Sequence, residues 1–220
     1  MCGRYRRTSA DEEIAKRYHI PIPIQSDLPI SWNIAPSQPV LTIRRNPETG
    51  IRTLDALKWG LIPSWAKDAK NGYKTINARV ETVEKSASYR AAFKKRRCLI
   101  PVDSFYEWKA GIAPKQPFSI GMKSGEPFVF AGLWEGWKPK DSDEWLRTCT
   151  IVTCESNEFC LAIHTRMPVI LPESVHEAWL NGSAGKQVLV PFIAEEMVAH
   201  PISMRVNSPR NNDRAIIDPV

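Results

Sequence analysis

Leu146-Arg147-Thr148-Cys149-Thr150-Ile151-Val152-Thr153-Cys154 decides how the chain is read. Nine residues rich in Thr, Val and Ile, with no Gly or Pro, read as a β-like run. Working outward, residues 98–102, 118–122 and 127–134 are β-like runs of the same kind, and Lys123-Ser124-Gly125 supplies a hairpin turn between the last two. Residues 39–45 and 51–58 read as a strand pair around Pro47-Glu48-Thr49-Gly50, and residues 200–206 as a last strand. Helices are fewer. Ser9-Ala10-Asp11-Glu12 has the form of a capping box opening a short helix that stops before Pro21. Residues 81–97 predict the longest helix, with Tyr89 and Phe93 on one face. Its basic end, Lys94-Lys95-Arg96-Arg97, complements the helix dipole. Residues 172–180 predict another helix, with Pro near its start. The Pro-rich stretch 20–31 is expected to wrap the surface. No repeat, low-complexity tract or linker interrupts the chain. The expectation is a single α+β domain over residues 1–220, mostly antiparallel, with a twisted barrel-like β-sheet core and surrounding helices.

Composition narrows the function. The 220 residues are 43% hydrophobic, enough for one well-buried core, and 11 Gly, 18 Pro and 8 Trp favour a loop-rich globular protein over a helical bundle. Lys plus Arg number 30 against 24 Asp plus Glu, for a net charge of +6. That excess permits a nucleic-acid partner and equally an acidic small molecule. Five cysteines, at 2, 98, 149, 154 and 160, are odd in number and irregular in spacing. With no signal peptide in view, they argue for reduced thiols and a cytoplasmic setting. No apolar run is long enough to span a bilayer.

Chemistry-bearing residues cluster in four places. The chain opens Met1-Cys2-Gly3-Arg4. Loss of Met1 leaves Cys2 with an amine and a thiol on adjacent carbons. This 1,2-aminothiol traps aldehydes: the amine condenses to an imine, and sulfur closes a thiazolidine. Amine and thiol pKa values near ~8 and ~8.5 leave both reactive forms available at neutral pH. In Thr75-Ile76-Asn77-Ala78-Arg79-Val80-Glu81-Thr82, an Asn-x-Arg pair leading into a helix suits anion binding, and equally a turn beside a surface ion pair. In Asp103-Ser104-Phe105-Tyr106-Glu107-Trp108, Glu107 follows a strand between two aromatic residues. Shielding by rings raises a carboxyl pKa, as proton transfer needs; an ordinary edge-strand Glu also fits. In Ala162-Ile163-His164-Thr165-Arg166-Met167-Pro168-Val169, His164 and Arg166 share one side of an extended loop, offering a neutral-pH proton carrier beside a phosphate grip. Cys149, Cys154, Cys160 and His164 do not have zinc-knuckle spacing, and Cys149 and Cys154 face opposite ways along one strand.

Taken in order, Met1-Cys2-Gly3-Arg4, Trp32-Asn33-Ile34-Ala35-Pro36, Trp59-Gly60-Leu61-Ile62-Pro63, Ile76-Asn77-Ala78-Arg79-Val80-Glu81-Thr82, Phe105-Tyr106-Glu107-Trp108 and His164-Thr165-Arg166-Met167-Pro168 make the chain resemble the SOS-response-associated peptidase (SRAP) family of abasic-site crosslinking proteins. The resemblance covers nearly the whole chain. It implies a DNA-damage function: binding single-stranded DNA with an abasic site and joining it covalently through Cys2. It implies Cys2 as nucleophile, Glu107 as general acid–base, His164 as an aid to ring opening and Schiff-base chemistry, and Asn77 as the group that orients the opened sugar. Arg4, Arg79 and Arg166 are expected on flanking phosphates, Asn33 and Pro36 at the site entrance, and Trp65 as a stacking platform for a base. Lyase activity, removal of Met1, a monomeric state and no metal or cofactor complete the expectation. The segment 67–74 stands as an insert beside the DNA edge. Two other readings stay open: a thiol peptidase or amidohydrolase using Cys2, His164 and Glu107, and a non-catalytic single-strand binding module.

Overall fold

A computed structural model describes residues 2–21, 28–46, 48–109, 111, 113–140 and 142–220, with only the backbone of Asn71. Met1, Pro47 of the expected turn and residues 22–27 of the Pro-rich stretch lie outside the described residues. In chain order the elements are β1 (Tyr5–Arg7), α1 (Asp11–Arg17), β2 (Ser31–Ile34), β3 (Pro39–Arg45), β4 (Arg52–Trp59), β5 (Asn77–Arg79), α2 (Arg90–Lys95), β6 (Arg97–Val102), β7 (Ser104–Trp108), β8 (Pro117–Met122), β9 (Phe128–Trp137), β10 (Leu146–Glu155), α3 (Glu158–Leu161), β11 (Arg166–Pro168), α4 (His176–Asn181) and β12 (Met197–Pro201).

Five strands close on themselves in the order β10-β4-β3-β6-β9 and back to β10, and a second sheet runs β12-β8-β7-β1-β2. This is an α+β fold with a twisted, barrel-like core. All pairings are antiparallel except those of β10 with β4 and β5. The quoted stretch, β10, therefore carries the barrel. Its residues from Cys149 to Cys154 are buried without a break, because neighbours cover both faces. Phe130 of β9 joins the two sheets: its ring lies 6.1 Å from Tyr5 of β1, 5.8 Å from Phe105 of β7 and 5.8 Å from Phe128. Tyr5 also packs 5.4 Å from the fully buried Trp59.

The two sheets meet where β6 passes into β7. Between them, the Asp103 carboxylate accepts hydrogen bonds from the backbone N–H of Thr8 and Ser9 and from the Ser9 hydroxyl. Ser9 is thus engaged away from α1. The expected capping box does not form: α1 starts at Asp11 behind Ala10, with no side-chain cap. Its first-turn carboxylates, Asp11, Glu12 and Glu13, still complement the dipole.

Other expectations also shift. Lys123-Ser124-Gly125 does turn, with Gly125 N–H donating to Met122 O at 3.0 Å. It forms no hairpin, because β8 and β9 belong to different sheets. The helix expected over residues 81–97 shrinks to α2; residues 80–89 are mostly turns, in which Val83 is buried and Ala87 O accepts from Trp65. Of its basic end, Lys94 and Lys95 are exposed, but the two arginines are drawn into the fold. Arg96 pairs with Glu135 at 2.5 Å, and Arg97 is 6% exposed, between the rings of Phe93 (4.7 Å) and Trp179 (4.5 Å). Residues 172–180 divide into a 3-10 turn, Glu173–Val175, and α4, which ends at Gly182 in the left-handed region. The last strand lies earlier than expected, at β12, and Met204–Asn207 is a 3-10 turn.

β4 and β5 share one neighbour in succession. β4 pairs β10 at Thr148 and Cys149, and β5 takes over at Ile151–Thr153. The chain leaves at Gly60 (φ +127°), whose N–H donates to Cys149 O at 2.8 Å, and returns after the 3-10 turn Ala69–Lys74. A Cβ on Gly60 would lie 2.5 Å from Gly72 O. Gly60→Ala should therefore cost about 2–3 kcal/mol in urea unfolding, from positive-φ strain and backbone displacement together. Wild-type stability in that variant would remove this close approach as a determinant of the β4–β5 exit.

Candidate active site

The site is assembled at the amino end of β1. β1 runs antiparallel to β7, pairing Tyr5 with Phe105 and Arg6 with Ser104, and Tyr106 N–H donates to Arg4 O at 2.9 Å. This register carries Cys2 to the end of β7 that holds Glu107. Cys2 is fully buried. Burial pushes its thiol pKa up, and the nearby Glu107 charge pushes it further the same way.

Glu107 lies within a strand rather than after one, between β1 and β8, and pairs with Phe118. By the two-residue period of a strand it shares a face with Phe105, which belongs to the apolar core. Only 3% of Glu107 is exposed. Burial raises its pKa above the ordinary carboxylate range, and the nearby His164 works against that rise. Its charge also reaches the buried Cys160, whose thiol, mainly through burial, is pushed up to about 12.

Asn77 opens β5. Its Nδ2 donates to the main-chain oxygen of Cys2 at 2.8 Å, and its own carbonyl accepts from the Tyr89 hydroxyl at 3.0 Å. Its Oδ1 is buried and takes no hydrogen bond among the described residues. His164 follows α3, where Asn157 caps the turn by accepting from Cys160 N–H (2.8 Å), and Ser156 Oγ donates to His164 O (2.7 Å). The backbone N–H of Arg166 donates to His164 Nδ1 at 2.9 Å. Nδ1 also lies 3.1 Å from the Arg166 carbonyl, so the Arg166 backbone holds this nitrogen in either neutral tautomer: its N–H donates to a bare Nδ1 and its carbonyl accepts from a protonated one. Cys2, Asn77, Glu107 and His164 are thus brought together from four distant segments.

The three arginines are held differently. Arg4 donates to Asn33 Oδ1 (2.8 Å) and Val206 O (2.7 Å). Arg166 makes a two-pronged ion pair with Glu81 and donates to Thr153 O at 2.8 Å. Arg79, at the end of β5, is exposed. Asn33 is 1% exposed, and its amide donates to the carbonyls of Val206, Ser208 and Asn211, so it meets the site through Arg4. Pro36 is half-buried in the turn after β2. Trp65 is 65% exposed on the wall of a cleft of about 550 Å³ shared with Lys67, Lys74 and Thr75, so residues 67–74 border the approach to β5. Among the described residues no three His, Cys, Asp or Glu side chains gather as a metal site. Sequence reading overlooked Tyr89, Thr153 and the part played by Glu81. Glu81 lies inside a quoted segment, but Tyr89 and Thr153 carry no local signal.

Comparison with known proteins bears on this arrangement. The family model described as SOS response associated peptidase (SRAP) matches residues 1–209. The chain belongs to the SRAP family. Among SRAP relatives, the abasic site processing proteins YoqW and YoaM of Bacillus subtilis are each 42% identical to it; both alignments cover 99% of this chain, and 99% and 98% of those proteins. A crystal structure of a protein from Bacteroides thetaiotaomicron superposes with a TM-score of 0.89 at 28% identity, covering all of both chains. No helix among the described residues is long and apolar enough to cross a membrane.

The raised pKa of Glu107 fixes a sign. The folded SRAP chain holds the Glu107 proton to higher pH than the unfolded chain. Its contribution to stability is full below the unfolded value, near ~4.3, and is lost as pH rises through the raised folded value. Glu107→Gln should flatten that decline, so that stability relative to wild type improves as pH rises towards neutrality. Parallel denaturation curves for the two proteins across this range would refute the assignment.

Proposed function

We propose that this chain joins single-stranded DNA covalently at abasic sites, by closing a thiazolidine between Cys2 and the aldehyde of the ring-opened sugar. One observation carries the reading: Asn77 holds the backbone of Cys2 at 2.8 Å while Glu107 bears on its thiol. The names of the Bacillus relatives support the same substrate.

The chemistry needs a series of proton transfers. Hydrolysis of the Met1–Cys2 bond, by an aminopeptidase or by the chain itself, frees the α-amine. The closed abasic sugar opens when O4′ gains a proton and the C1′ hydroxyl loses one, giving an aldehyde at C1′. The amine adds to that carbon, and the carbinolamine oxygen leaves as water after protonation, giving an iminium. Sulfur then adds to C1′ as the thiol proton passes to a base. One water is lost overall. Glu107, its pKa raised by burial, is suited to deliver a proton to the departing oxygen. His164, its Nδ1 held by the Arg166 backbone, serves ring opening and return of the proton. Asn77 Oδ1, buried without a donor, accepts from a sugar hydroxyl. Arg79 meets phosphate most freely, with Arg4 and Arg166 beside it, and Trp65 offers a base an exposed ring.

The closed ring leaves no carbonyl or imine at C1′, so β-elimination stops and the strand is shielded. An iminium that lingers before ring closure is the source of weak lyase activity. The peptidase reading is less well supported: a thiol hydrolase needs a thiolate of lowered pKa, and burial moves Cys2 the other way. The protein is expected to act as a monomer, in the cytoplasm, where the strand is exposed.

Intact-mass spectrometry tests the proposal. Met1-free protein mixed with an abasic single-stranded oligonucleotide should give the sum of the two masses less one water, stable to denaturant. Cys2→Ala should give no such species. Absence of the adduct from protein with a verified Cys2 terminus overturns the reading, and turnover of a peptide substrate in its place favours the hydrolase.

A further inference from the structure

β10 has a different neighbour on each side at Thr153. β5 pairs there through Arg79, and β11 through Pro168. Asn77 begins β5, and His164 lies two residues before β11, so the segments carrying these two groups are separated by the width of β10. One side-chain contact bridges them. Glu81, two residues beyond β5, grips Arg166 of β11 with both carboxylate oxygens. The Arg166 guanidinium rests between them on Thr153, with Nη2 2.8 Å from the carbonyl and 3.4 Å from Oγ1. The same Arg166 supplies the backbone N–H that His164 Nδ1 accepts. Its side chain is 14% exposed and that of Glu81 44%. The contact thus sits at the rim of the site, half in solvent. An ion pair there adds little to global stability. Its effect is geometric: it fixes the residue that fixes the imidazole.

We infer that Glu81 is a positioning residue for His164, acting through Arg166 and tying the Asn77 and His164 segments together across β10. With Glu81 in place, Arg166 is clamped at both ends, by its guanidinium and by its backbone N–H. The Arg166 backbone then holds the imidazole by Nδ1, and the ring keeps one orientation. Without Glu81 the guanidinium keeps only Thr153, the start of β11 loosens, and Nδ1 loses a fixed donor. The clamp also sets how Arg166 meets DNA: a phosphate reaching it shares the fork with a carboxylate. Removing the carboxylate therefore frees charge for the strand while loosening the catalytic ring.

This inference rests on the crosslinking function proposed above, and its test separates the two. Glu81→Gln keeps the shape and most of the exposure of the side chain but removes the charge; Glu81→Asp keeps the charge. Three quantities are read on Met1-free protein: the rate of denaturant-stable adduct formation with an abasic single-stranded oligonucleotide, the affinity for an intact oligonucleotide of the same length, and the His164 tautomer by long-range proton–nitrogen NMR. Glu81→Gln should slow adduct formation about tenfold, leave oligonucleotide affinity equal or raised, and change the ring-nitrogen pattern of His164. Glu81→Asp should recover part of the rate. Adduct formation at the wild-type rate with an unchanged His164 pattern overturns the inference, as does a rate loss matched by an equal loss of affinity. Should wild type itself form no adduct, the function fails, and the NMR comparison still decides whether Glu81 orients His164.

Discussion

The pairing of β1 with β7 is the constraint on which the site depends. A three-residue strand has little affinity of its own for a sheet. Here it is fixed from two directions: Tyr5 is packed against Trp59 and Phe130, and Asp103 ties the backbone of Thr8 and Ser9 to the crossing between the two sheets. With these in place, the register leaves no freedom for residue 2, which sits beside a buried carboxyl. Reactivity and fold are then one problem. A thiol in this position is not activated by a lowered pKa; in the proposed reaction it is delivered to a carbon that the neighbouring amine has already made electrophilic.

The arginines show why net charge is a poor map of a nucleic-acid surface. Arg7 is buried, spent on Asp11 and the carbonyls of Leu28 and Pro29. Arg97 is buried between two rings and several carbonyls. Arg96 answers Glu135 inside the fold. Arg4 and Arg166 are half-committed, each held by protein groups that keep it at the site. Among these six, Arg79 is the exposed one. The +6 balance says that an anion is welcome; which cations meet it follows from what else each one holds.

Much of the barrel was legible in the chain. β3, β4, β6, β9 and β10, and β8 of the second sheet, are long enough to show their pattern, and the structure places each within three residues of its expected ends. The short strands were not legible. β1, β5 and β11 have three residues each, and their pairing is dictated by neighbours far away in sequence. The helix read over residues 81–97 failed for a related reason. Val83 and Tyr89 are drawn into the core and towards Asn77, and Ser86 and Ser88 favour turns over helix. For the site, the polar segments were visible, as was the chemistry of Cys2. What no local pattern carried was that Asn33 faces the C-terminal segment, or that Glu81 and Arg166 meet across β10.

The order of the chain has a consequence for how the protein is made. In synthesis residue 2 precedes β7, the strand on which β1 docks, by about a hundred residues, and His164 follows later still. Pairings this distant in sequence form late and slowly. For that interval an unmasked terminal aminothiol is solvated, unguarded and open to any small aldehyde. On the proposed chemistry, burial of Cys2 in the finished fold acts as a form of chemical storage: the folded chain keeps its reagent from adventitious capping, and the timing of Met1 removal relative to folding would set what fraction of molecules reach DNA able to react.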